Sequence, residues 1–449
     1  MSASANGSPI VVVGAGFAGL AAAVRLAREG EDVLVLEATG NGGGRCRSFK
    51  HNGSGWELDN GQHLMMGCYR ETLAFLRELG TDRKVEFQRN LSLDMIRPGG
   101  KRYKLRCPAL PAPFHLGAGL LRMRGVGLMS KAAAVRLGLL LRGEVARPDD
   151  NETCDSWLRR LGQTQGIRAM FWDPLIWATL NDDPLVCSAA MLTAVLERAF
   201  LGTRDASRLG VPKVPLSRLY VDDAFQYLRA RGSEVRTASP MRGLETDSEG
   251  IKAVVLRSGE RIETRRVVSA VPPRPLLDAL PDSARQHPVF QDCGRLGASP
   301  IINVWAFLDR PLFPDVPYVG LVGSPLHWLF DRSQIEHKDE PGRTLINATI
   351  SGARGMVDDR PELLMDTFKS EMKRFFPDKP FSVLSYKVIK EKKATISHAA
   401  GTYQRRPETV SPIKGLYLAG DWVRTGLPAT IESACQSGHD AATEILERN

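Results

Sequence analysis

The chain has 449 residues, 43% of them hydrophobic and 25% charged, the balance of a folded globular protein and not of a disordered one. Single cores stop growing at ~250–300 residues, so two lobes are expected. The formal net charge of +9 suits an anionic partner or simply a soluble surface, and with no nucleic-acid-binding signature nucleic acid ranks last among partners.

The chain opens MSASANGSPI, without a basic leader, and its first apolar run, Ile10 to Val13, is too short for a signal peptide or a membrane span. That run reads as a buried parallel strand. Leu20, Ala23, Val24 and Ala27 then recur at helical spacing until Gly30 stops the helix. Val33 to Leu36 is a second strand, which a right-handed crossover sets beside the first.

Between strand and helix stands Gly14-Ala15-Gly16-Phe17-Ala18-Gly19, and Glu37-Ala38 follows the second strand. GxGxxG alone is a weak signal. A strand before it, a helix after it and an acid past the next strand make it a dinucleotide fingerprint. The first glycine permits the turn, the second lets a pyrophosphate approach the backbone, and the third lets helix and strand pack closely. Unpaired N–H groups at the helix start attract phosphate, and the Glu37 carboxylate is placed to accept ribose hydroxyls.

Further along, Trp56 to Leu58 reads as a short strand and 71–80 as an amphipathic helix with a glycine stop. Residues 115–142 are apolar, basic and free of acids, and helices continue to about 205. Residues 214–229 contain a helix, RGSEVRT a turn and short strand, and 251–271 alternate like paired strands. Strands are expected over 300–308 and 344–350, a helix over 361–376, a strand into a loop at GLYLAGDW, and a closing helix from Ile431 to Leu446. Seven cysteines without a CxxC pair argue against a disulfide framework or structural zinc and for reduced thiols in the cytoplasm. The eight histidines show no metal-ligand spacing, so no metal site is expected.

A second glycine cluster, Gly42-Gly43-Gly44-Arg45, sets an arginine on a flexible backbone where it can neutralise a phosphate. It resembles the GGR segment of flavoprotein amine oxidases and carotenoid-type desaturases, in which that arginine lies by the FAD pyrophosphate. In the same superfamily a strand ending like Gly420-Asp421 presents its acid to the flavin ribitol, and a valine placed like Val235 contacts the adenine. Thr430, Ile431 and Glu432 begin a helix whose N-terminal dipole faces the electron-rich edge of reduced flavin. The resemblance thus implies an α/β protein. Its Rossmann-like FAD-binding domain is assembled discontinuously from 1–85, 212–290 and 400–449. A mixed α+β substrate domain takes 86–211 and 291–399.

Two segments narrow the resemblance. Asp59-Asn60-Gly61-Gln62-His63 followed by Gly67-Cys68-Tyr69 resembles the DNGQH…GCY stretch of hydroxysqualene dehydroxylases, FAD enzymes of hopanoid biosynthesis. Gly420 to Trp422, Thr425 to Glu432 and Ser437-Gly438 resemble their C-terminal segment. The implied reaction converts hydroxysqualene to squalene with reduced FAD and loss of water. Gly61, Gln62 and His63 are then flavin contacts, and Asp59, His63 and Glu432 candidate acids for the leaving hydroxide; each also suits a structural role.

A long-chain isoprenoid alcohol reaches an enzyme from a bilayer, which implies a cytoplasmic protein peripherally attached to membrane. The 115–142 stretch fits, with Arg122, Arg124, Lys131, Arg136 and Arg142 meeting anionic headgroups, or equally as two buried helices. Phe171, Trp172 and Trp177 are tunnel or core residues. The donor of electrons to FAD and the oligomeric state are unspecified. Rival readings are a desaturase running the flavin in the opposite direction, an amine oxidase, and a non-enzymatic isoprenoid escort. Gly426-Leu427-Pro428-Ala429 lacks the aromatic residue that amine oxidases carry there, and the intact fingerprint argues against the escort.

Overall fold

The computed structural model describes residues 8–141, 143, 146–338 and 340–448; Arg142 lies outside them. Ile10–Val13 (β1), Phe17–Arg28 (α1) and Val33–Leu36 (β2) form as the periodicity predicts. β1 and β2 pair in parallel at the centre of a five-stranded sheet that draws its other strands from far along the chain. Glu234–Arg236 joins beyond β2, Val267–Ser269 lies on the other side of β1, and Leu416–Leu418 forms the far edge. Successive side chains of β1 point to opposite faces, and both faces are covered, which is why the run is uniformly apolar. Ile10 and Val12 pack under α1 and the closing helix Ile431–Glu447, whereas Val11 and Val13 pack against Leu244, Ile251 and Val254.

The strand pairing expected over 251–271 forms in its first part and not in its last. Gly250–Leu256 pairs antiparallel with Arg261–Glu263 and also with Met241–Asp247, a strand the alternation did not suggest. Val267–Ser269 leaves that ribbon and enters the parallel sheet, because its valines are wholly buried and suit a strand covered on both faces.

A second, seven-stranded sheet contains Ala298–Leu308 and Thr344–Ser351, both expected, as its longest adjacent inner strands. Helix Pro361–Phe375 covers one face with Leu364, Met365, Phe368, Met372 and Phe375. The 14-residue strand Val383–Ile396 carries no sequence signal, since it is the edge strand and most of its side chains meet solvent. Its lysines blunt that edge. A layer of helices, including Phe114–Arg122, Leu128–Leu140, Cys154–Arg160 and Ala189–Leu196, closes over the other end with its own apolar core. Phe171 and Trp172 belong to that core, and the Trp172 indole donates to Gln163 Oε1 at 2.8 Å. Trp177 instead stacks on His327 with ring centroids 4.7 Å apart.

Candidate functional site

The carboxyl ends of β1 and β2 meet the N-terminus of α1, and here the glycines divide into two kinds. A Cβ on Gly19 would overlap the Gly14 carbonyl oxygen, so Gly19 is required by packing. A Cβ on Gly16 would find nothing nearer than the Gly43 carbonyl oxygen at 4.0 Å, and the backbone there has an ordinary φ of −86°. Neither sterics nor conformation within the chain calls for glycine at 16. Gly44, across the gap, meets only the Gly16 Cα at 3.6 Å. The chain thus leaves a side-chain-free cradle at the start of α1. Gly16 offers no side chain to cap the first turn, and that turn holds no acid. The N–H groups of Phe17, Ala18 and Gly19 lack intrahelical partners by the geometry of a helix start, and they suit a pyrophosphate.

Glu37 is buried beside the cradle, accepting the N–H of Ala15 at 3.0 Å and the N–H and hydroxyl of Thr39 at 2.8 and 2.9 Å. Ala38 is exposed next to it. Val235 pairs with Val35 one strand over, half-buried. Arg45 reaches the opposite end of the chain: its guanidinium grips Asp421 through two bonds of 2.6 and 3.0 Å and donates to the Ala394 carbonyl at 2.9 Å. Ser437 accepts the Gly420 N–H at 2.7 Å, while Gly438 lies where a Cβ would overlap the Ala18 carbonyl oxygen of α1. The Ser437-Gly438 pair therefore ties the Asp421 loop and the closing helix to the fingerprint helix. Thr430 caps that closing helix by accepting the Ser433 N–H at 3.2 Å, and Ile431 is its first residue.

The stretch from Asp59 to His63 runs across the inner face of the seven-stranded sheet. Asn303 and Trp305 donate to the carbonyls of Asn60 and Asp59 at 3.1 and 3.2 Å, and a Cβ on Gly61 would meet Asn303 Nδ2 at 2.5 Å. Arg332, fully buried, donates to Gln62 Oε1 at 2.9 Å and to Glu336 at 2.6 Å, with its remaining nitrogen 3.3 Å from Asp59. Burial raises the Glu336 carboxyl above the usual range, and Arg332 pulls against that shift.

The three candidate acids fall in different settings. Asp59 is wholly buried and accepts from the Ser48 hydroxyl at 2.6 Å and the Leu216 N–H at 2.9 Å while facing Arg332. Glu432 accepts the N–H groups of Glu71 and Thr72 and the Thr72 hydroxyl, which caps helix Arg70–Glu78 from outside. Burial raises its carboxyl, and those three donors oppose the rise. His63 is only half-buried. Its Nδ1 lies 2.7 Å from the Gly61 carbonyl, which can only accept, and its Nε2 lies 3.6 Å from Cys46 Sγ. Burial works against a charged ring, but Cys46, Gly61 and Asp59 outweigh it and push the pKa up to about 9.

Three polar residues of this region escape the sequence reading: Cys46, Arg332 and Asn303. Only Cys46 carried a signal, by adjoining Arg45. Among the described residues no group of three or more His, Cys, Asp or Glu is placed to hold a metal ion. Among them, too, no helix is long and apolar enough to cross a membrane.

A glycine-walled cradle at a helix N-terminus, a buried acid beyond β2 and an Arg–Asp clasp joining both ends of the chain suit a dinucleotide-binding protein. Residues 17–446 match the flavin containing amine oxidoreductase family, and the chain belongs to it. It is an FAD-dependent oxidoreductase. The chain is 30% identical to hydroxysqualene dehydroxylase of Rhodopseudomonas palustris over 97% of both proteins. It is 26% identical to 15-cis-phytoene desaturase of Synechococcus elongatus over 98% of this chain and 96% of the desaturase. Among solved structures it is similar to an oxidoreductase from Methanosarcina mazei, with a TM-score of 0.78 at 17% identity, covering 97% and 99% of the two chains.

Proposed function

We propose that the protein removes the hydroxyl group of hydroxysqualene reductively, yielding squalene for hopanoid synthesis. The observation that carries this reading is end-to-end similarity, at 27–30% identity, to hydroxysqualene dehydroxylases of three bacteria. In this reading Phe17, Ala18 and Gly19 hold the FAD pyrophosphate with Arg45. Glu37 takes the ribose, Val235 and Ala38 border the adenine end, and Asp421, Thr430 and Ile431 meet the flavin with Gly61 and Gln62. Bound reduced FAD supplies a hydride.

The residues of the chain do the rest. His63 is the proton donor, since it is the half-exposed candidate, and Cys46, Gly61 and Asp59 beside it outweigh burial and favour the charged ring. Asp59 and Glu432 are positioning groups: Glu432 accepts two backbone N–H groups and a hydroxyl, and Asp59 accepts through Oδ1 while its Oδ2 is buried facing the Arg332 guanidinium. The allylic C–O bond breaks with its electrons on oxygen, the oxygen takes the proton, and water leaves. The apolar core of the helical layer excludes bulk water that would trap the allylic cation.

Anaerobic mixing of photoreduced holoenzyme with hydroxysqualene tests the assignment. The expected result is squalene by mass and reoxidised flavin. A protein that instead bleaches its oxidised flavin with a polyene precursor is a desaturase, the reading favoured by the phytoene desaturase similarity.

We place the enzyme on the membrane surface, through the helices Phe114–Arg122 and Leu128–Leu140. Leu121, Leu128, Met129 and Leu139 stand exposed there beside Arg122, Arg124 and Arg136. Replacing Leu128 and Met129 with Ser is expected to lower co-sedimentation with phosphatidylglycerol vesicles at least about tenfold, at ~0.8 kcal/mol per buried CH2.

A further inference from the structure

The contact between Cys46 and His63 has no counterpart among the other thiols. Cys107, Cys154, Cys187, Cys293 and Cys435 are buried, and the only other accessible cysteine, Cys68, has its thiol pushed up to about 12 by burial. Cys46 is half-buried at the rim of the cradle, between Arg45 and Arg47, with its Sγ 3.6 Å from His63 Nε2. The opposite ring nitrogen is fixed as a donor, because its partner is the Gly61 carbonyl at 2.7 Å. Nε2 is therefore the ring position whose proton can move, and its neighbour there is the Cys46 sulfur. Either the thiol donates to a neutral ring, or the charged ring donates to a thiolate. The loop that carries Cys46 is held rigid: Cys46 N–H donates to the Gly43 carbonyl at 2.9 Å, and the Tyr220 hydroxyl donates to the Gly43 carbonyl at 2.9 Å.

We propose that Cys46 and His63 form one proton-holding unit, in which Cys46 is a reactive thiol and the positioning residue through which His63 keeps and orients its proton. This deepens the dehydroxylase reading and rests on it for the catalytic role, while the coupling of the two side chains stands independently. The titratable and charged groups that face the pair are Arg45, Asp59, Tyr220 and Cys435. Among the side chains acting on the His63 ring, Cys46 comes ahead of Asp59. When the allylic C–O bond breaks, the unit gives up one proton to the departing oxygen, which leaves as water. The unit then regains one proton from solvent.

Alkylation of the FAD-loaded protein by iodoacetamide, mapped by mass spectrometry across pH, reads the coupling without any turnover. Cys46 is expected to label ahead of the other six thiols. His63→Asn and His63→Gln should each slow its labelling by about tenfold near pH 6.5, where an ordinary thiol is mostly protonated. Unchanged labelling in both variants, or Cys46 no faster than Cys68, would overturn the proposal. Cys46→Ser and Cys46→Ala, checked for flavin absorbance, should shift the pH profile of hydroxysqualene turnover with KM little changed. An unmoved profile makes Cys46 a packing residue and overturns its positioning role. Coupled labelling in an enzyme that does not convert hydroxysqualene supports the pair and removes only the substrate assignment.

Discussion

Around Gly16 the chain withholds side chains: Gly16 and Gly44 lie side by side with no side chain between them, and the helix start is left without a side-chain cap. Around Asp59 to His63 it does the reverse, pressing Asn303 and Trp305 onto the backbone and Arg332 onto the Gln62 and Asp59 side chains, from elements about 240 to 270 residues away. The first region leaves room for a ligand, and the second holds its stretch of backbone and side chains still. The two regions should therefore fail in different ways.

The largest contrast lies within the fingerprint itself. Gly19→Ala drives a methyl into the Gly14 carbonyl and should abolish folding, at several kcal/mol of overpacking and strain. Gly16→Ala meets nothing in the protein. It should leave the apoprotein melting temperature nearly unchanged and weaken FAD binding by at least about tenfold, because the methyl occupies the phosphate approach. Melting curves with and without FAD separate the two outcomes. A Gly16→Ala protein that binds FAD normally would remove the basis for calling the gap a cradle.

In the clamped region, Arg332→Met leaves Asp59 and Glu336 without their buried cation. Urea unfolding should show a loss of about 3–5 kcal/mol, partly restored by adding Asp59→Asn. A loss below about 1 kcal/mol would mean that the triad is solvated and that the stretch is held by its backbone bonds alone.

Two histidines sharpen the comparison through pH. His398 is buried, donating from Nδ1 to the Leu180 carbonyl and accepting the Ala429 N–H, and burial followed by the charge of Arg406 pushes its pKa down to about 4. The folded protein refuses a proton that the unfolded chain accepts below about 6.5. Stability should therefore fall by up to about 3 kcal/mol between pH 6.5 and 4, with His398→Gln flattening that acid limb in pH-dependent melting. His63 is raised instead, so its contribution is present below about 6.5 and disappears as pH rises through about 9. The smallest effect expected is that of Arg45→Lys. It replaces a two-bond grip on Asp421 with a single point charge, and as the pair is partly exposed, stability should drop by about 1 kcal/mol.

The cradle was legible in the sequence because its rules are local. A glycine between β1 and α1, an acid past β2 and a Gly-Asp at a strand end each announce themselves within a few residues. The clamp was not legible because nothing about Arg332 in FDRSQIE distinguishes it from the arginine of any surface helix; only the fold brings Gln62 and Asp59 to it. For the same reason the sequence left Asp59 and Glu432 open between an acid and a structural role, because their donors from Ser48, Leu216, Glu71 and Thr72 are brought to them only by the fold. Strand Val383–Ile396 was missed because an exposed lysine-rich edge has no inward alternation to detect.

The seating of Gly438 on Ala18 sets the order in which the protein can be made. The parallel sheet takes its last strand from Leu416–Leu418, and the covering of α1, begun by Phe75, Tyr220 and Leu228, is completed only when Cys435, Gly438, Ala441 and Ile445 arrive. A chain growing from the ribosome therefore carries an incompletely covered fingerprint helix through nearly its whole synthesis. Such long-range closure is slow and leaves apolar surface open to aggregation. Cofactor loading is in effect a signal of completed translation, and a chain truncated before residue 431 should be recovered as flavin-free aggregate.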